Sequence, residues 1–106
     1  MEYIHNYIDS YNDDSTLYKL LENCKNGKLD EIKYIYQNNP TINISYGNEE
    51  IFRKTCLNGH LDVAKWLLEI KPTIDISAHN EYAFRGSCRM GHLHLAIWLL
   101  EIKPTI

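Results

Sequence analysis

The side chains best suited to chemistry in this 106-residue chain are Cys88, His92 and His94, because a His-x-His pair preceded by a cysteine presents types that bind zinc. Their spacing argues against it, since residues two apart on a helix point away from each other. His92 follows a glycine just as His60 does, and His94 stands where Asp62 stands 32 residues earlier. Both therefore have a simpler reading, one as a turn residue and the other as a solvent-facing substitution. No metal is expected. Cys24, Cys56 and Cys88 could act as nucleophiles, but each falls on an apolar helical face, where burial raises a thiol pKa rather than lowering it. The chain has no glycine loop to cradle phosphate and no Ser-His-Asp order, so neither catalysis nor a cofactor is expected. Trp66 and Trp98 are of a type enriched at binding hot spots. They lie amid apolar helical stripes and are expected to pack against the neighbouring return loop.

The elements that would position these residues recur. Asn58-Gly59-His60-Leu61-Asp62-Val63-Ala64-Lys65-Trp66-Leu67-Leu68 returns as Gly91-His92-Leu93-His94-Leu95-Ala96-Ile97-Trp98-Leu99-Leu100, and in divergent form as Gly27-Lys28-Leu29-Asp30-Glu31-Ile32. Gly27, Gly59 and Gly91, the three prolines and the three cysteines all keep a step of 32 residues. A fixed period of this size signals stacked supersecondary units. The sequence thus predicts an all-α solenoid of three stacked helix-turn-helix repeats, at 15–46, 47–78 and 79–106. A capping helix and loop over 1–14 should precede them, with Tyr3, Ile4, Tyr7, Ile8 and Tyr11 on one face.

Within each repeat the first helix is expected at 16–25, 49–57 and 81–89, with Asn48 and Asn80 as N-caps. Ile51, Phe52, Thr55 and Cys56 form its inner face, repeated by Ala83, Phe84, Ser87 and Cys88, which predicts three reduced, buried thiols. Gly59 and its equivalents supply the left-handed residue that stops this helix. The second helix starts near His60 or Leu61 and must end by about Ile70, ahead of Pro72. Val63, Ala64, Leu67 and Leu68 are its buried stripe, which one short hairpin cannot cover alone. Ile74 and Ile76 alternate with polar neighbours, a strand-like pattern for an extended return segment.

A formal net charge of −3 and a pI near 5.9 provide no basic field for nucleic acid or an anionic membrane. Residues 1–10 have neither the positive start nor the apolar run of a secretory signal, and no stretch is long enough to span a bilayer. An intracellular protein is expected.

With the turn glycine, second-helix pattern and period together, the chain resembles the ankyrin-repeat family over about residues 15–106. Copies that end in Trp-Leu-Leu-Glu-Ile-Lys-Pro and carry Phe-Arg in the first helix look most like the ankyrin-repeat proteins of giant DNA viruses of amoebae. The resemblance implies a non-catalytic protein-protein interaction module, in host-cell cytoplasm if viral, whose loop tips and first helices line a concave face. Carried onto this chain, that face comprises Tyr46, Glu49, Arg53, Leu57, Asn58, His79, Glu81, Tyr82, Arg85, Arg89 and Met90. Arg53, Arg85 and Arg89 with Lys25 would form a basic stripe suited to an acidic or phosphorylated protein partner. The alternative is that these charges only keep exposed helix faces soluble.

One departure stands out. Where the family has Thr-Pro-Leu-His, this chain has Glu50-Ile51-Phe52-Arg53 and Tyr82-Ala83-Phe84-Arg85, so the usual Thr-His brace is missing and a less hairpin-like loop is expected. Phe52 and Phe84 would take the leucine's core position. At the other end Ile97 replaces the lysines of the earlier copies, and Ala96, Ile97, Leu99 and Leu100 are expected to face water unless covered. A second reading follows, in which the chain is an assembly piece that self-associates, or part of a longer solenoid, docking through this third repeat.

Overall fold

The computed structural model describes residues 14–103, and the expected N-terminal capping helix lies outside them apart from Asp14, which opens the first helix. Six helices follow: α1 (Asp14–Lys25), α2 (Leu29–Asn38), α3 (Tyr46–Leu57), α4 (Leu61–Ile70), α5 (Ala78–Arg89) and α6 (Leu93–Ile102). There is no strand among the described residues, so the protein is all-α there. The strand-like pattern around Ile74 and Ile76 resolves into turns that still direct Ile74 into the core and leave Ile76 half-buried. No helix is long and apolar enough to cross a membrane among these residues.

The helices pack as three pairs, α1 with α2, α3 with α4 and α5 with α6, and the first helices form a row, α1 against α3 and α3 against α5. The fold is elongated, 49 × 24 × 22 Å. Leu20, Ile32, Phe52, Val63, Leu67, Leu95 and Leu99 are its fully buried large apolar side chains. Of the expected second-helix stripe, Val63, Ala64 and Leu67 are buried and Leu68 half-buried.

Small residues let the first helices approach. Gly86 lies against Leu57, where a Cβ would meet Leu57 Cδ1 at 2.9 Å, so this glycine is buried rather than exposed on the first helix. The Ser87 hydroxyl donates to the Ala83 carbonyl at 2.7 Å and reaches the Cys56 carbonyl of the preceding pair at 3.3 Å. Thr55 donates to the Ile51 carbonyl at 2.7 Å and touches the Cys24 thiol. Burial pushes the Cys24 thiol up to about 12 and the Cys56 thiol higher still. Cys88 corrects the expectation of three buried thiols: it is exposed, because the position that α3 and α5 cover on Cys24 and Cys56 has no following helix among the described residues.

A histidine-glycine joint locks each pair to the one before. Gly27 and Gly59 hold left-handed conformations, φ +70° and +78°, and the rings of His60 and His92 lie directly against their α-carbons. His60 Nε2–H donates to the Lys25 carbonyl at 2.8 Å, which satisfies a free acceptor at the end of α1. Gly91 has the same left-handed φ, +78°, with nothing within 4 Å of where a Cβ would be. Its substitution isolates backbone strain from the joint. Gly91→Ala should cost about 1 kcal/mol, whereas Gly59→Ala, which also drives a methyl into His92, should cost about 3 kcal/mol. Urea denaturation of both, with Gly59→Ala/His92→Ala to relieve the collision, tests this; equal losses at Gly59 and Gly91 would refute the joint.

Candidate functional site

The loop tips ahead of α3 and α5 are built by short polar side chains. Asn43 Oδ1 accepts from the Ser45 N–H at 3.1 Å and Asp75 Oδ1 from the Ser77 N–H at 3.0 Å, each closing a local turn. The chain then makes three successive left-handed residues, Gly47, Asn48 and Glu49 at φ 70°, 58° and 65°, and again His79, Asn80 and Glu81 at φ 60°, 58° and 60°. Asn48 and Asn80 therefore do not cap their helices as expected. An N-cap needs extended backbone, and these residues belong to a turn of opposite hand that asparagine and glycine tolerate best.

The arginines expected on the surface stripe hold these turns instead. Arg53 Nε donates to the Asn48 carbonyl at 2.9 Å and its Nη2 to the Gly47 carbonyl at 3.0 Å. Arg85 repeats the fork on Asn80 at 2.8 Å and His79 at 3.3 Å. Each left-handed turn aims its carbonyls at one point, and a planar guanidinium matches that fork. Glu49 is likewise buried, its Oε2 accepting the Asp75 N–H at 3.0 Å and tying one turn to the next loop. Glu81 Oε2 pairs with Lys103 Nζ at 3.1 Å.

Tyr82 is the focus of the face. Arg53 lies 5.3 Å from its ring centroid, Lys54 Nζ 5.6 Å and Arg85 5.8 Å, while the His79 ring meets it edge-on at 5.9 Å. Three cations thus converge on one half-buried aromatic ring, on a chain whose net charge is −3. Arg53 is buried and spent on the turn, whereas Arg85 stays exposed and Lys54 half-exposed.

The remaining expected residues scatter around this point. Tyr46, Asn58, His79, Arg89 and Met90 are exposed, and Leu57 is half-buried beneath Gly86. Lys25 does not join the stripe; it pairs with Glu22 at 3.3 Å. Trp66 packs edge-on against Tyr36 of α2, centroids 5.6 Å apart. Among the described residues no three His, Cys, Asp or Glu side chains group as a metal site.

One feature was missed from sequence. A groove of about 240 Å³ opens between α1 and α3, lined by Leu17, Tyr18, Leu21, Tyr46, Glu50 and Ile51. A signal for it existed in the period, since Tyr18 and Glu50 precede Tyr82 at successive steps of 32 residues. Comparison with protein-family models, characterised proteins and solved structures found no match to the chain.

The Arg53 fork sets up a stability test. Arg53→Ala should cost about 3 kcal/mol, because it removes two charge-assisted hydrogen bonds made by a buried side chain. Exposed Arg85→Ala should cost less than about 1 kcal/mol. Arg53→Lys, which keeps the charge but loses the fork, should recover little of the loss; full recovery in thermal melts would show that charge alone matters.

Proposed function

We propose that the chain is an ankyrin-like solenoid of three 32-residue repeats, acting inside the cell as a non-catalytic module that binds a protein partner through its loop tips and first helices. The observation that carries this is the convergence of Arg53, Lys54 and Arg85 on Tyr82. Aromatic and arginine side chains are over-represented at binding hot spots. A cationic patch on an acidic chain selects an acidic or phosphorylated protein surface and disfavours others of its own sign. Against catalysis stands the state of Cys24 and Cys56, whose thiols are buried and pushed up, away from the nucleophilic thiolate. In place of the family's Thr-His brace, Arg53 and Arg85 supply an equivalent one to the loops.

A pull-down from amoebal lysate tests this reading, comparing the chain with a folded Lys54→Glu/Arg85→Glu variant. Proteins captured by the first and lost by the second are expected; identical captures would reduce the cluster to a solvated face.

A second reading has its own support at the third pair. Leu93 is 65% exposed, Ile97 55%, Ile102 42% and Leu100 39%, although Ala96 and Leu99 are buried, contrary to expectation. If this end docks onto a second copy or another protein, Cys88 should react with maleimide more slowly as chain concentration rises or partner is added. A rate that never changes would dismiss the docking end.

A further inference from the structure

We infer that the partner segment is bipartite, placing an apolar side chain in the groove between α1 and α3 and an acidic or phosphorylated residue at the Tyr82 cluster between α3 and α5. The inference rests on the protein-binding role proposed above and adds the chemistry of its ligand. The groove has an apolar floor and wall in Ile51, Leu17 and Leu21, and its rim carries two exposed aromatics, Tyr18 and Tyr46. Its volume of about 240 Å³ exceeds that of any single side chain, so an aliphatic or aromatic anchor fits with room to spare. Tyrosine offers apolar contact area together with a hydroxyl for the partner's backbone.

The charges around the groove set the order of the partner's residues. Glu50 lines the groove, so a carboxylate there meets like charge. One helix further along the row, Lys54 and Arg85 flank Tyr82 and accept that carboxylate. Neighbouring helices are about 8–10 Å apart, and an extended segment advances about 3.3 Å per residue. The acid therefore follows or precedes the apolar anchor by about three positions.

Random dodecapeptides displayed on phage and selected against the full chain test the inference. The expected consensus has a large apolar residue about three positions from Asp or Glu. Synthetic peptides from it should bind Tyr18→Lys/Tyr46→Lys at least about tenfold more weakly, as should Lys54→Glu/Arg85→Glu. Tyr18 and Tyr46 are 63% and 57% exposed, so their replacement should leave the core intact, with circular dichroism of the variant as the check. Acidic peptides without an apolar anchor, bound equally by the tyrosine variant, would overturn the inference while leaving the protein-binding role standing. Peptides indifferent to both variants would overturn both. A third outcome is that no peptide reaches the groove and Tyr18 and Tyr46 already resist nitration in the free chain. Another part of the chain or a second copy then fills it, and the inference falls.

Discussion

Helices of ten and twelve residues cannot bury their own apolar stripes, and everything else in this protein answers that constraint. Val63, Leu67 and Ile32 reach zero exposure inside one continuous core that runs through all three pairs. Stability therefore resides at the joints between pairs. Those joints are narrow, which explains the residue types that sit in them. Gly86 and Ser87 admit Leu57 and the Cys56 carbonyl, Thr55 meets Cys24, and His60 and His92 press on glycines that could carry no side chain.

The same row that builds the core also builds the candidate surface. The left-handed turn at Gly47–Glu49, within the N-terminal end of α3, is unfavourable for Asn48 and Glu49. It persists because Arg53 gathers its carbonyls and Glu49 grips the Asp75 amide. Once fixed by that fork, the Arg53 guanidinium has one free face, and Tyr82 of the next pair lies against it. Structural need and surface chemistry are thus joined in one side chain. Arg85 makes the same fork with no following pair over it among the described residues, and it is open to solvent there.

What could be read from the sequence was whatever depends on local pattern. The α4 boundaries, the turn glycines and the Val63-Ala64-Leu67 stripe follow from periodicity, a helix-stopping proline and backbone sterics. What could not be read depends on neighbours. Cys56 and Cys88 occupy the same place in nearly identical segments, yet one is buried and the other exposed, because only Cys56 has a following pair among the described residues. Arg53 and Arg85 differ for the same reason. The left-handed turns were not legible because Asn before Glu is also a good helix start, and only the arginine five residues after the asparagine selects the other hand. The groove escaped because it belongs to no single repeat. Tyr18 and Leu21 come from one pair and Tyr46 and Glu50 from the next.

Gly91, bare where Gly27 and Gly59 are covered, marks an asymmetry in how the chain holds together. Among the described residues the middle pair is gripped on both sides and the third on one. In a row joined only through neighbours, each unit's share of stability scales with the number of its joints. The middle pair is thus the natural seed for assembly of the fold, and the outer pairs, each held by one joint among the described residues, let go before it. Local opening of the third pair would expose Ser87 and Cys56 before the chain as a whole came apart.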